Sequence, residues 1–331
     1  MSDPSHRAHS VQTQQPAPEM IRFRDLLADA YGQHPPLHTL SIQAARAVAE
    51  IVRAPWASGG PTMLETRDHL IESGGLSLRL RVHRPKQEPD GVLVYVHGGG
   101  WTLFSMDTHD RVMREYAGRA GIAVVGIDYT LVPEAVFPRQ VDEVTALVRL
   151  LRQPDAQDWL GFDPIGLPIA IGGDSAGGNL AMATALTLRD AGEIDYLQAV
   201  ILNYAVVDTD ETRPSYRRYG GPEFNLTEEE MRGFWDGYAL DPAVRQDPRA
   251  ALLRGTLSDL PPTYFTIAEC DVLLDENLAL AAALQVAGVP VRSQIYPGML
   301  HSFLEAVSIS PTSARAFQET STWLRGTFGL D

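Results

Sequence analysis

A glycine-rich turn around Ser175 carries the residues most able to do chemistry. The letters GDSAG at 173–177 follow the G-x-S-x-G pattern, and they stand between an apolar run at 167–171 and a helical pattern that begins near Asn179. A sharp turn from strand to helix lifts a serine hydroxyl above a sheet, and glycine two residues to either side lets the backbone close that tightly. This context predicts that Ser175 is a nucleophile.

A second glycine-rich segment, HGGGW at 97–101, directly follows the apolar run at 92–96. Consecutive glycines expose backbone N–H groups, which are the donors that stabilise the negative oxygen of a tetrahedral intermediate. We expect Gly98 and Gly99 to donate from this segment, and Ala176, the residue after the nucleophile, to donate a third N–H. The two segments together predict acyl transfer at a carbonyl group.

A serine nucleophile also needs a base and a carboxylate that orients the base. His301, which comes just after the last apolar run, is the only histidine that follows Ser175 in the chain. Asp271 comes just after the preceding apolar run and is the expected carboxylate. Asp275 is the next choice, but it also fits the N-cap of a helix that begins at Glu276. The sequence therefore predicts a triad of serine, histidine and aspartate.

Short unbroken apolar runs recur from residue 92 onward and predict strands that are buried on both faces. They lie at 92–96, 122–127, 167–171, 199–202, 264–268 and 291–296. An alternating pattern at 76–82 predicts a half-exposed strand before them. Because helical patterns separate most of the runs, we expect a mainly parallel sheet with helices on both faces.

The chain is expected to form one catalytic core with a helical cap. The core comprises residues 61–203 and 255–331, residues 1–60 supply a tail and the N-terminal cap helices, and residues 204–254 form a cap insertion. Such a cap would lie over the carboxyl ends of the strands, where open sheets of this kind bind ligands. Large apolar side chains near this edge are candidates for pocket walls. They are Trp101, Phe104, Met106, Phe234 and Trp235.

The composition restricts the partners of the protein. With 27 Lys and Arg against 42 Asp and Glu, the formal net charge is −15. This opposes binding to nucleic acid, whose affinity comes largely from basic side chains at phosphates. The single cysteine, Cys270, cannot form an intrachain disulfide, and the sequence has no H-E-x-x-H motif and no Cys and His cluster at ligand spacing. We therefore expect no metal.

The N-terminal segment and the apolar content bear on location. Residues 1–20 are polar and contain proline, without the apolar segment of a signal peptide, and they predict a flexible tail on a cytoplasmic protein. The longest apolar stretch, 278–289, is interrupted by Gln285 and is shorter than the roughly 20 residues of a membrane span. We expect a core helix there and no membrane partner.

Several motifs together resemble the hormone-sensitive-lipase-like esterases, and especially the bacterial acetyl esterases among them. The matching segments are HGGGW at 97–101, DTHDR at 107–111, GIDYTLVPEAVFP at 126–138, GDSAGGN at 173–179, CDVLLDE at 270–276 and YPGMLHSF at 296–303. The family often has Pro after the aspartate and Gly after the histidine, where this chain has Val272 and Ser302. The resemblance implies an α/β-hydrolase fold under a helical cap, no cofactor, and a homodimer formed through the last strand and helix.

The resemblance also implies the substrate class, which is short-chain acyl esters. With Ser175, Asp271 and His301 present, we expect a carboxylic-ester hydrolase that acts on a small molecule through an acyl-enzyme intermediate. The same three residues would serve an amidase, a deacetylase or a lactonase, so those activities stay open. A non-catalytic ligand-binding or regulatory protein on the same fold is a further alternative, which the complete set of catalytic groups disfavours.

Overall fold

A computed structural model describes residues 14–330 of the chain. Its eight strands form one sheet. The strands are β1 (Glu65–Ser73), β2 (Leu76–Arg84), β3 (Val92–Val96), β4 (Ala123–Asp128), β5 (Ile169–Asp174), β6 (Ala199–Asn203), β7 (Thr263–Cys270) and β8 (Val291–Leu300). Residues 1–13, where most of the flexible tail is predicted, lie outside the described part of the chain.

The strand order in the sheet is β1-β2-β4-β3-β5-β6-β7-β8. The pairs β1·β2 and β2·β4 are antiparallel, and every later pair is parallel. All residues of β3, β5 and β6 are buried, because helices cover both faces of the sheet, and most of these residues are therefore apolar. The mainly parallel sheet predicted from the apolar runs is confirmed.

Ten helices accompany the sheet within the described residues. They are α1 (Pro18–Tyr31), α2 (Ile42–Ala57), α3 (Asp110–Ala120), α4 (Arg139–Leu150), α5 (Ala156–Leu160), α6 (Ala176–Asp190), α7 (Pro214–Tyr219), α8 (Glu228–Tyr238), α9 (Leu274–Val286) and α10 (Pro311–Thr327). Helices α3 and α10 pack against each other on the sheet, and α4, α6 and α9 pack on it as a second set. None of the helices in residues 14–330 is long and apolar enough to cross a membrane.

The segments outside this core are also helical. Helices α1 and α2 pack together, and α2 lies against the 3₁₀ segment Phe303–Ser308. Helices α7 and α8 lie within residues 204–254. Helix α8 starts with a capping box in which Thr227 and Glu230 satisfy each other's backbone N–H groups. The assignment of these segments to a cap stays a prediction.

Parallel strands place the residues that follow them at one edge of the sheet. The HGGGW segment follows β3, the GDSAG turn begins within the last two residues of β5, and Asp271 and His301 follow β7 and β8 directly. Because β3 and β5 are neighbours, with Val96 paired to Gly173, the two glycine-rich segments meet at this edge. The topology therefore brings the four predicted chemical elements to one place.

Candidate active site

The backbone at Ser175 is held in an unusual conformation. Its φ of 53° and ψ of −121° lie in a region that L-residues rarely adopt. The Ser175 N–H donates to Asn203 O at 3.0 Å, and Ser175 O accepts from the N–H of Val206 at 3.0 Å. A Cβ at Gly177 would lie 2.0 Å from Val96 O, so only glycine fits there. These contacts hold the serine at the tip of a tight turn.

Ser175, His301 and Asp271 form one hydrogen-bonded chain. His301 Nε2 lies 3.0 Å from Ser175 Oγ, and His301 Nδ1 lies 2.7 Å from Asp271 Oδ2. All three residues are buried. The other oxygen of Asp271, Oδ1, accepts from the N–H of Leu273 at 3.0 Å. The structure thus brings together the three residues that the sequence predicts as nucleophile, base and orienting carboxylate.

One further contact and one backbone conformation position His301. Asn225 Nδ2 donates to His301 O at 3.0 Å, which links the insertion at 204–254 to the loop after β8. Ser302 has a φ of 64°, in the left-handed region that favours glycine. This explains why glycine is common at that position in the family that the chain resembles. Sequence reasoning missed Asn225, because no motif surrounds it.

Asp275, the alternative carboxylate, lies elsewhere. Its Oδ2 accepts from the N–H of Ser215 at 2.7 Å, and Arg218 lies 3.1 Å from its Oδ1. It therefore ties α7 to the start of α9. The prediction that Asp275 is the N-cap of a helix starting at Glu276 is wrong, because α9 already begins at Leu274.

The structure changes one of the three backbone N–H groups that the sequence predicts as oxyanion donors. The Gly98 N–H donates to Asp174 Oδ1 at 3.2 Å, so it already has a partner and the expectation that it faces the substrate is corrected. Among residues 14–330, the N–H groups of Gly99, Gly100 and Ala176 have no acceptor. Ala176 is the first residue of α6, where an N–H lacks an acceptor within the helix. These three groups remain free to bind a negative oxygen.

The predicted pocket walls divide into two groups. Trp101, Met106 and Trp235 are at most 1% exposed and pack in the core, so their contact with substrate stays a prediction that the burial disfavours. Trp101 stacks on Tyr238 with 4.0 Å between ring centroids, so its ring packs against another buried aromatic ring. The direction of a side chain in an irregular loop cannot be read from the sequence, so the burial of Trp101 and Met106 could not be predicted from it.

Phe104 and Phe234 keep part of their surface accessible. Phe234 lies against the glycine segment, since a Cβ at Gly100 would come within 2.2 Å of its ring. The guanidinium of Arg53 lies 4.8 Å from the centroid of the Phe104 ring. Arg53 is itself buried in an ion pair with Glu305, with 2.7 Å between Nη1 and Oε2. Two partly exposed aromatic rings therefore lie against the glycine segment, Phe104 at Gly99 and Phe234 at Gly100.

The HGGGW segment is braced from below. Burial and the neighbouring His109 lower the pKa of His97 to about 4, so the ring is neutral at physiological pH. It stacks on Tyr129 at 4.5 Å, and Tyr129 donates its hydroxyl hydrogen to His97 O at 3.0 Å. Asp128 Oδ1 accepts from the N–H of Met106 at 2.7 Å. These residues give the segment a fixed shape.

The fold and this arrangement define a serine hydrolase site of the α/β-hydrolase type, and comparison with known proteins agrees. A family model described as the alpha/beta hydrolase fold matches residues 93–305. The chain belongs to this family, and its resemblance to the hormone-sensitive-lipase-like esterases is confirmed.

Solved structures of esterases resemble the whole chain. A thermostable esterase from Pseudomonas putida is 30% identical, with a TM-score of 0.87 over 96% of this chain and 99% of that one. An esterase from Pyrobaculum calidifontis is 31% identical, with a TM-score of 0.83 over 94% of this chain and 98% of that one. A fungal esterase from Rhizomucor miehei is 27% identical, with a TM-score of 0.87 over 96% and 99%.

Proposed function

We propose that this protein hydrolyses carboxylic esters of short acyl chains through an acyl-enzyme intermediate on Ser175. The observation that carries the proposal is the hydrogen-bonded chain from Asp271 Oδ2 through His301 to Ser175 Oγ, with distances of 2.7 and 3.0 Å. The family and the esterases of similar structure support ester hydrolysis. The side chains and backbone groups already described, together with the ester and a water molecule, are sufficient for this reaction.

The first half of the reaction acylates the enzyme. Ser175 Oγ attacks the ester carbonyl while His301 Nε2 takes its proton, and Asp271 stabilises the resulting imidazolium. The N–H groups of Gly99, Gly100 and Ala176 bind the negative oxygen of the tetrahedral intermediate. The alcohol then leaves with the proton from His301.

The second half releases the acid. Water enters after the alcohol leaves, and His301 takes a proton from it as the water oxygen attacks the acyl-enzyme carbonyl. A second tetrahedral intermediate forms in the same oxyanion site. When it collapses, Ser175 Oγ regains a proton from His301 and the carboxylic acid is released.

The preference for short acyl chains rests on the bulk around the glycine segment. The Phe234 ring covers Gly100, and behind it the space is filled by buried Trp101, Trp235 and Tyr238. An acyl group bound with its oxygen at Gly99 and Gly100 must therefore pass beside Phe234. A short acyl chain needs no displacement of that ring, whereas a long one does.

The experiment is hydrolysis of p-nitrophenyl acetate at pH 8 by the parent protein and by Ser175→Ala. We expect turnover by the parent and a loss of at least about a thousandfold in the variant. Equal rates in the two proteins would refute the assignment of Ser175. Parallel assays on p-nitroacetanilide and γ-butyrolactone measure the amidase and lactonase alternatives with the same pair of proteins.

The chain-length proposal has its own test. Acetyl, butyryl, octanoyl and palmitoyl esters are compared in the parent, in Phe234→Ala and in the control Phe328→Ala. Phe328 is also partly buried, but its ring lies beside Gly91, at the amino end of β3. We expect the parent to favour acetyl or butyryl esters, and Phe234→Ala alone to gain on octanoyl esters. Best turnover of palmitoyl esters by the parent would refute the proposal.

Assembly and location remain proposals as well. β8 lies at one end of the sheet order, and Ile295 on it is 38% exposed, which supports the predicted homodimer through this strand. Light scattering after gel filtration of the parent and of Ile295→Lys measures it, and a monomeric parent would refute it. The cytoplasmic location stays a prediction from the sequence.

A further inference from the structure

A buried cluster of polar side chains lies beneath the glycine segment, next to the proposed triad but outside it. Its centre is Asp174, the residue before Ser175. Asp174 Oδ1 accepts from the hydroxyl of Tyr95 at 2.9 Å and from the N–H of Gly98 at 3.2 Å, and Asp174 Oδ2 lies 3.3 Å from His109 Nε2. Asp174 is 3% exposed and His109 1%. The proposed reaction gives neither side chain a step of its own.

The contacts of His109 define its protonation. Its Nε2 faces the carboxylate of Asp174, and its Nδ1 lies 3.3 Å from Ser105 O and 2.9 Å from Thr108 Oγ1. The Thr108 hydroxyl also lies 2.9 Å from Ser105 O. Ser105 O near Nδ1 and Asp174 Oδ2 near Nε2 are both acceptors, and an imidazolium, with two N–H donors, satisfies both.

The electrostatics point the same way. Burial disfavours both charged forms, yet the pKa of His109 is raised and that of Asp174 is lowered, because each ion faces the other. A buried charge of either sign without its partner would be costly. His109 and Asp174 therefore form a buried ion pair directly under the nucleophile turn.

Other titratable or charged groups face His109 from three elements. From α2 come Glu50 and Arg53, and from the 3₁₀ segment comes Glu305. Arg53 and Glu305 pair with each other at 2.7 Å and act on the pKa of His109 in opposite directions. From the glycine segment comes His97, whose ring centroid is 5.6 Å away and which is neutral. Asp174 is thus the one carboxylate in this set that contacts the ring of His109.

We propose that His109 is a positioning residue for the esterase reaction, an inference that rests on the proposed function. Its imidazolium keeps Asp174 ionised and in place, and the carboxylate fixes the Gly98 N–H. With that peptide fixed, the N–H groups of Gly99 and Gly100 converge on the oxyanion. The fit is tight, because a Cβ at Gly98 would lie 2.4 Å from Asp174 Oδ2.

Three variants test the positioning role against a matched control. His109→Ala removes the ion pair, His109→Gln restores an N–H donor toward Asp174, and Asp174→Asn removes the negative charge at constant shape. The control is His83→Gln, because His83 is also fully buried beside a carboxylate, with Nε2 3.4 Å from Asp110 Oδ1, but it lies on β2 away from the glycine segment. Circular dichroism and melting temperature show whether each variant is folded.

The expected kinetic result is a loss in kcat with little change in KM. A misplaced oxyanion donor weakens transition-state binding more than substrate binding, so His109→Ala should lose about a hundredfold in kcat. His109→Gln restores the donor but not the charge and should recover only part of that loss, and His83→Gln should keep the kcat of the parent. Parent-like kcat in a folded His109→Ala, or equal losses in the Ala and Gln variants, would overturn the inference.

The pH profile separates positioning from a merely structural role. Because the folded-state pKa of His109 is raised, its charge is present at lower pH and is lost as the pH rises through that raised value. The kcat of the parent should therefore fall on the alkaline side. In Asp174→Asn, where the partner charge is absent, the fall should move to lower pH, and in His109→Gln it should vanish. An identical alkaline limb in all three proteins would contradict the proposal.

A measurement independent of turnover distinguishes this inference from the proposed function. Nitrogen-15 NMR of the histidine rings, assigned with His109→Gln, should show a doubly protonated His109 at pH 7 in the parent. A neutral ring at pH 7 would overturn the inference even if the protein is an active esterase. Conversely, an inactive protein with a charged His109 would refute the esterase proposal while leaving the ion pair established.

Discussion

Asp271→Asn should abolish most of the activity because it moves the ring proton of His301 from one nitrogen to the other, while the fold stays intact. In the parent, Asp271 Oδ2 lies 2.7 Å from His301 Nδ1 while Oδ1 accepts from the N–H of Leu273 at 3.0 Å. The amide of an asparagine must keep its oxygen toward the Leu273 N–H, because an amide NH₂ cannot accept from it. The NH₂ then faces His301 Nδ1.

The consequence for catalysis follows from the two ring nitrogens. Facing a donor, His301 Nδ1 must accept, so the ring proton moves to Nε2. Nε2 then has no lone pair for the proton of Ser175 Oγ, 3.0 Å away. In serine proteases with the same arrangement, this change of tautomer costs about ten-thousandfold in kcat. We expect a similar loss here, which corresponds to about 5.5 kcal/mol of transition-state stabilisation.

The assay is kcat/KM on p-nitrophenyl acetate at pH 8, with Asp275→Asn as the matched control. Asp275 contacts Ser215 N and Arg218 rather than His301, and its side chain is 21% exposed. We expect Asp275→Asn to change kcat/KM by less than about threefold and to cost at most about 1 kcal/mol of unfolding free energy. A larger loss of activity in Asp275→Asn than in Asp271→Asn would refute the assignment of the carboxylate.

Three further predictions address stability and the turn. Burial lowers the pKa of His83 to about 4, below its ordinary value of about 6.5, so the folded state should lose up to about 3 kcal/mol as the pH falls between those values. Urea unfolding at pH 7 and 4.5 should show a smaller acid loss in His83→Gln. Arg53→Ala leaves Glu305 unpaired and should cost about 3–5 kcal/mol in urea unfolding at pH 7, and a cost below 1 kcal/mol would contradict the buried pair. Gly177→Ala should lower kcat/KM at least about a hundredfold. The control is Gly233→Ala on α8, where a Cβ meets no atom within 4 Å. It should raise the unfolding free energy by about 1 kcal/mol.

The strands that the sequence predicts best are those whose environment is the same on both faces. The apolar run at 92–96 coincides with β3, because a strand covered by helices on both sides admits only apolar side chains. By contrast, β1 (Glu65–Ser73) has no such run and was not predicted. It lies at the edge of the sheet with mostly exposed or half-exposed side chains, and its pairing with β2 comes from backbone groups that leave no pattern in the sequence.

The candidate site likewise contains residues that the sequence predicts and one contact that it does not reveal. Ser175, Asp271 and His301 could be predicted because each follows a recognisable strand, and the order of those strands in the chain carries the information. The bond between Gly98 and Asp174 joins residues 76 positions apart, and nothing local to either residue reveals it. For this reason the sequence misassigned one oxyanion donor although it located the correct segment.

The glycines of the two motifs do more than allow tight turns, because they record how closely the two segments pack. β3 and β5 are adjacent and in register, with Val96 opposite Gly173. A Cβ at Gly173 would lie 2.5 Å from Val96 O, and a Cβ at Gly177 would lie 2.0 Å from the same oxygen. Both glycines are therefore required by the end of the neighbouring strand as well as by the turn itself. The HGGGW segment that follows Val96 is thereby fixed against the nucleophile, so the strand order and the two motifs require each other.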